Sequence, residues 1–456
     1  MQRPSRLLTG SLILVLLLLA YACASKLPRD VESNPAALAQ QAPRRSFEDR
    51  IEANAKDMLK EGKHTFRYDT FGSEDFWGGK LRLHEAIAGS NHGGVGAGVT
   101  ARQALQLGLK VDLGALPKIL VEAIKGRSVD LDKVETTLEL LRANAVVGVT
   151  GFFDKSTKQM TSIGIQCSLC HSTVDDSLMK GIGRRLDGWP NRDLDIGKIV
   201  AAAPTLKPFA DLLGVDEGTV RGVLTSWGPG RYDAELNHDG KATRPDGKPA
   251  TTVMPAAFGL AGVNLHTYAG WGSVTHWNAY VANTQMHGKG TFFDPRMNDP
   301  QRFPLAVKSG DWNKRDTPDL ITSKLAALHY YQLSIPAPEP PASSFDASAA
   351  ARGKTVFDGK AKCATCHVPP LYTEPGWPMH TAEEIGIDDF HASRSPDRKF
   401  YRTTPLKGLF VREKGGFYHD GRFEDLTQVV AHYSRVLKLS LSDGEKADLV
   451  QFLKSL

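Results

Sequence analysis

Beyond its opening stretch the chain has no apolar run near the ~20 residues needed to cross a bilayer, which excludes a multi-span membrane protein. A strong charge of either sign is also missing. The 56 basic and 51 acidic residues leave a formal charge of +5, spread along the chain, so no basic stripe forms and no nucleic-acid partner is expected. There is no phosphate cradle either: Gly89 to Gly98 is a Gly-rich loop, but it lacks the Lys-Ser/Thr of a P-loop and follows no clear strand. Cysteine is scarce, at five in 456 residues. What is present, 41% apolar residues, suffices for two or three ordinary globular cores.

The opening residues bear on the compartment. Arg3 and Arg6 precede an apolar run from Ser11 to Ala20, and Ala20-Tyr21-Ala22 or Ala22-Cys23-Ala24 offers small residues for cleavage. Residues 1–22 therefore read as a secretory leader and 23–46, rich in Ala, Pro, Gln and Arg without a sustained period, as a tether. A soluble periplasmic protein is expected. Leu19-Ala-Tyr-Ala-Cys23 also fits lipoprotein processing, with Tyr21 awkward for it, so a lipid anchor at Cys23 is the one route to a membrane.

The other four cysteines form two pairs of identical form, Cys167-Ser-Leu-Cys170-His171 and Cys363-Ala-Thr-Cys366-His367. In this pattern two thiols add across the vinyl groups of a porphyrin and the following His ligates its iron. A given Cys here meets Cys at +3 and His at +4 by chance roughly 3 times in 10,000, and the coincidence would be needed twice. A zinc site would leave both His unexplained, and a thioredoxin-like pair would need a βαβ context that the flanks lack. Two covalently bound haem c groups are expected.

Helix-spaced apolar residues occur over Phe47–Gly62, Leu131–Ala145, Leu320–Leu333, Ala347–Asp358 and Ser442–Leu456, and a Pro-rich break follows Ile335. The last two helices should pack together. A Gly-containing helix running into CxxCH, with a closing Phe-Leu-Lys-Ser-Leu helix, resembles a class I cytochrome c domain, and 160–335 repeats the arrangement loosely. The expected fold is mainly α, with two class I cytochrome c-like domains: 47–335, enlarged by an N-terminal helical extension and a loop-rich insertion at 228–318; a linker, 336–345; and 346–456. Residues 47–150 carry no chemistry of their own.

Tyr401-Arg-Thr-Thr-Pro405-Leu-Lys-Gly408, Gly416-Phe-Tyr-His419-Asp-Gly421-Arg-Phe and Leu426 to Tyr433 resemble the stretch beyond the second haem in the di-haem cytochrome c peroxidase superfamily, which includes MauG-type and rubber-oxygenase-type enzymes. The resemblance covers 346–456 specifically and 160–335 more loosely. It implies that haem 2 transfers electrons while haem 1 acts on peroxide or dioxygen, and that a small redox protein or quinol-chain component is the electron partner. The alternative is a non-catalytic carrier with both irons six-coordinate.

A strong sixth ligand gives electron transfer and an open position gives chemistry. The peroxidases resembled have a distal His soon after the first motif, but Ser172 to Leu212 contains none, so haem 1 is expected to be open. The other candidates are Met179, His64, His84, His266, His276 and His287. For haem 2 the resemblance implies a sixth ligand at Tyr433, with His432 as alternative and Met379 or His380 as further sources; electron-transfer peroxidases have Met there, a departure. His419 is read as supporting a propionate or an inter-domain surface.

The aromatic segment from Trp271 to Phe293 is read first as core. The sharper reading has it wall the haem 1 pocket with Trp277 relaying electrons between haems, and His276, His287 or an acid of the insertion serving as general acid/base. The resemblance also implies calcium between the haems, with Asn191 a candidate ligand; Glu235 to Asp239 is closer to a polar turn than to an EF-hand.

Overall fold

Helices begin where the sequence supplies an N-cap. Ser442 and Glu445 close a capping box at the start of Asp443–Lys454, Asp346 caps Ala347–Asp358 through the Ala349 amide, and Asp425 caps Leu426–Val436. Both expectations for the terminal pair are met: Ala347–Asp358 has the expected bounds, and it packs against Asp443–Lys454, whose Leu449, Phe452 and Leu453 are buried. The computed structural model describes residues 46–126, 128–397 and 399–456. The leader, most of the tether and Cys23 lie outside the described residues.

The fold is mainly helical, and the strands among the described residues make six two-stranded sheets. No helix among those residues is long and apolar enough to cross a membrane. Lys56–Leu456 is one compact unit with several hydrophobic clusters. One gathers residues from Phe76 to Met254, and another from Phe357 to Leu453.

Two helix crossings use the same device. A Cβ on Gly353 would lie 2.0 Å from the Asp448 carbonyl oxygen, so only glycine lets these backbones approach, and Phe357 then meets Phe452 with ring centroids 5.0 Å apart. At the other crossing a Cβ on Gly62 would lie 1.9 Å from the Ala327 carbonyl oxygen, and Phe66 meets Tyr331 at 5.7 Å. Gly62 belongs to Phe47–Tyr68 and Ala327 to Leu325–Ser334. The helix expected as part of an extension thus holds, before the first CxxCH, the position that Ala347–Asp358 holds before the second. A glycine contact of this kind ties the helix to its partner whatever the length of chain between Tyr68 and Cys167.

Gly353→Leu is expected to cost about 1–3 kcal/mol, since backbone and not a movable side chain opposes the new group. Urea denaturation of wild type and variant measures it; a loss below about 0.5 kcal/mol, the usual size of a surface effect, would contradict the close crossing.

Candidate haem sites

The hairpin Val149–Phe153/Met160–Ile165 delivers the chain into Cys167, and Ser168–His171 forms a single helical turn. At the second motif Cys363–Thr365 is a 3-10 turn, with the His367 amide donating to the Cys363 carbonyl at 2.9 Å. All four cysteines are free thiols. Burial pushes Cys167 and Cys170 up to about 12 and Cys363 up to about 11.

Each motif borders its own cavity, one of about 620 Å³ and one of about 550 Å³, both of ligand-pocket size. His171 Nδ1 lies 3.2 Å from the Pro255 carbonyl and His367 Nδ1 lies 3.0 Å from that of Tyr372. With Nδ1–H donating, the Nε2 lone pair is left for a metal. Burial lowers both imidazoles, His367 to about 4, so both rings are neutral, as ligation requires.

The cavity walls fit an iron porphyrin. Arg402 and Arg412 line the second cavity, and burial lowers both to about 10. Arg402 Nη1 and Arg412 Nε are buried without a hydrogen-bond partner. Buried guanidinium N–H groups facing a cavity call for anions inside it, and the two propionates of a haem are such anions. His419 also lines this cavity, 2% exposed with both ring nitrogens unpartnered.

Of the sixth-ligand candidates for the first site, His266 and His287 line the cavity. His266 Nε2 meets the Val263 carbonyl at 3.0 Å, leaving Nδ1 without a partner. His287 stacks on Phe76 at 3.5 Å. His64, His84, His276 and Met179 are not among the lining residues, and Met179 is exposed. At the second site Tyr433 lines the cavity while His432 donates or accepts elsewhere, with Nε2 2.8 Å from the Ile385 carbonyl and Nδ1 3.3 Å from Arg435. Burial raises the Tyr433 phenol, opposed by the neighbouring Tyr418 hydroxyl. His380 lines the cavity too, held by Glu374 at 2.7 Å, whereas Trp377 is 76% exposed.

The aromatic segment divides. Trp271, Tyr280 and Phe292 form a core cluster of their own, and His276 packs among them. Trp277, on the same helix Val274–Asn283, lines the first cavity. It does not line the second. Tyr268 and Arg402 line both.

Two acids that the sequence did not single out for catalysis face the first cavity. Asp233 and Glu235 are each 3% exposed, and one carboxylate oxygen of each is unpartnered. Burial pushes Glu235 up to about 7 and Asp233 up to about 8, even against Arg394. Of the calcium candidates, Asn191 and Asp239 are engaged with the protein, while Glu235 keeps its unpartnered oxygen. Asn191 donates to the Gly108 carbonyl at 3.0 Å and accepts from the Asp193 amide at 3.3 Å. Asp239 grips Arg394 through both oxygens.

No known family model matches the chain. The methylamine utilization protein MauG of Methylorubrum extorquens is 30% identical over 122 residues, 24% of this chain and 34% of that protein. The chain thus matches about a third of the length of this curated relative. Among solved structures, Kuenenia stuttgartiensis hydrazine synthase is 18% identical with a TM-score of 0.26, covering 45% of this chain and 72% of that one. A MauG-like protein associated with microbial copper homeostasis is 19% identical with a TM-score of 0.26, covering 49% and 80%. The likeness to MauG supports a di-haem cytochrome c peroxidase-like superfamily.

Proposed function

We propose that the chain is an exported di-haem c-type oxidoreductase in which the Cys363/Cys366 site passes electrons and the Cys167/Cys170 site meets peroxide or dioxygen. The observation that carries it is the pairing of each CxxCH with its own cavity and with a proximal His whose Nδ1 is committed to a carbonyl. His171 and His367 would be the iron ligands, and Arg402 and Arg412 the propionate partners. The two haem c folds divide near 336–345. When bound, the iron porphyrin supplies one-electron transfer and, at an open coordination position, activation of peroxide or dioxygen.

A catalytic first site, rather than a pure carrier, is favoured by Asp233 and Glu235. A carrier has no use for two buried protonatable carboxyls beside its haem, whereas peroxide chemistry needs a proton donor. Tyr433 is the proposed sixth ligand of the second site. Export to the periplasm, with lipidation of Cys23 as a variant of it, and a small redox protein or quinol-chain component as electron partner belong to the same proposal.

The test is mass spectrometry and a pyridine haemochrome assay on protein from a host competent in cytochrome maturation. Two covalent haems per chain support the reading, and none abolishes it.

Two further outcomes are expected. Since Glu235 and Asp233 have raised proton affinity, both are protonated at low pH and lose protons as pH rises through about 7 to 8. Peroxide consumption should therefore fall across that range, the limb belonging to the pair rather than to either acid, and Glu235→Gln should alter it. An identical limb in Glu235→Gln and Asp233→Asn would exclude these acids. Secondly, Tyr433→Phe should change the electron-paramagnetic-resonance signal of one ferric haem and His432→Gln should leave it as it is; the reverse would exchange their roles.

A further inference from the structure

Inside the insertion, several groups with redox or proton chemistry converge on Tyr280. Its side chain is 1% exposed, within the cluster of Trp271, Phe292, Met297 and Phe303. Aromatic contacts lead to it from the first cavity. Trp277 lines that cavity; its ring is centred 4.5 Å from Trp271 and 5.5 Å from Tyr280, and Trp271 is 5.3 Å from Tyr280. The phenol hydrogen-bonds to Nε2 of His238, which is itself 1% exposed. His238 Nδ1 has no partner. Packing alone does not explain this pair, because a phenylalanine would fill the same apolar space without burying a hydroxyl and an imidazole for one hydrogen bond of modest net value.

We propose that Tyr280 is a redox-active tyrosine, oxidised through Trp277 and Trp271 from the first cavity with His238 as its proton acceptor. The proposal rests on the peroxide reading of that cavity. One hydrogen peroxide takes up two electrons and two solvent protons to give two waters. Tyr280 would supply one of these electrons, and a bound iron porphyrin the other. The Tyr280 O–H bond breaks as its electron leaves, the proton goes to His238 Nε2, and a neutral phenoxyl radical and an imidazolium remain.

The pair suits the step. Burial raises the phenol's proton affinity, so a tyrosinate is not available and the electron must leave together with the proton. Burial also lowers His238, to about 4, which keeps it neutral and able to accept; Asp239 and Asp294 favour the charged form that results, against Arg394. The effect is to hold one oxidising equivalent away from the porphyrin, at a pair of side chains shielded from bulk solvent.

The holoprotein, grown with ring-deuterated tyrosine or without, is mixed with hydrogen peroxide and freeze-quenched, and electron paramagnetic resonance and the Soret band are recorded. A radical signal that narrows on deuteration, is lost in Tyr280→Phe and decays faster in His238→Gln is expected, while the peroxide-induced Soret change persists in Tyr280→Phe. A Soret change in wild type with no tyrosyl signal, or with one unaltered by Tyr280→Phe, overturns the inference and leaves the peroxide reading standing. An unchanged lifetime in His238→Gln overturns the proton role. If peroxide leaves the wild-type Soret band unmoved, the peroxide reading itself falls, and the oxidant for Tyr280 falls with it.

Discussion

Protein carrying Cys167→Ala and Cys170→Ala should emerge from a maturation-competent host with one covalent haem per chain instead of two, and Cys363→Ala with Cys366→Ala should give the complementary one-haem species. Intact mass and haem-stained denaturing gels read both directly. The expectation follows from thioether chemistry: without either sulfur, nothing holds the porphyrin through denaturation. The two variants should differ in a second respect. Cys167 and Cys170 are half-buried, but their cavity is walled in part by the largest hydrophobic cluster among the described residues, so an unfilled site there leaves more apolar surface unpacked. The first variant should therefore be the less stable to urea. Two haems retained in either variant would show that the motif in question is not an attachment site.

What the sequence made legible, and what it did not, divides along the range of the interactions involved. CxxCH is readable because the haem attachment pattern sets two cysteines and a histidine within five consecutive residues. Capped helices such as Asp443–Lys454 are readable because Ser442 and Glu445 sit within one turn of each other. The crossing of Phe47–Tyr68 with Leu325–Ser334 was not, since its local trace is only a glycine followed four residues later by an aromatic, Gly62 and Phe66, the spacing of Gly353 and Phe357.

Neighbouring residues on a helix are separated by about 100°, which is why aromatic or His-rich stretches could not be resolved into roles. His276 packs in the insertion core while Trp277 borders the cavity, and His432 bonds the Ile385 carbonyl while Tyr433 faces the second cavity. Asp233 and Glu235 stayed hidden for another reason. Their proton affinity is set by burial and by an arginine far along the chain, and no local pattern encodes either.

That arginine is the subject of the second large effect. Arg394 has a fully buried side chain that meets Asp233 at 3.0 Å and Asp239 at 2.9 Å, and it donates to the carbonyls of Ala250 and Lys241. It joins the half of the chain carrying the second motif to the acidic turn beside the first cavity. Burial disfavours its charge, but Asp233 and Asp239 outweigh that and hold it protonated. Arg394→Met keeps the length of the side chain and removes the cation, leaving buried carboxylates and two carbonyls without their donor. Breaking a buried pair from one side costs on the order of 3–5 kcal/mol, and urea denaturation of the holoprotein should record a loss of that size. Combining Arg394→Met with Asp239→Leu should recover part of it, because fewer carboxylates then remain stranded. The same change should raise the proton affinity of Asp233 and Glu235 further, moving the alkaline limb of peroxide consumption to higher pH. A variant with unaltered stability and an unmoved limb would mean that Arg394 neither locks the two halves together nor sets the charge of the acids facing the first cavity.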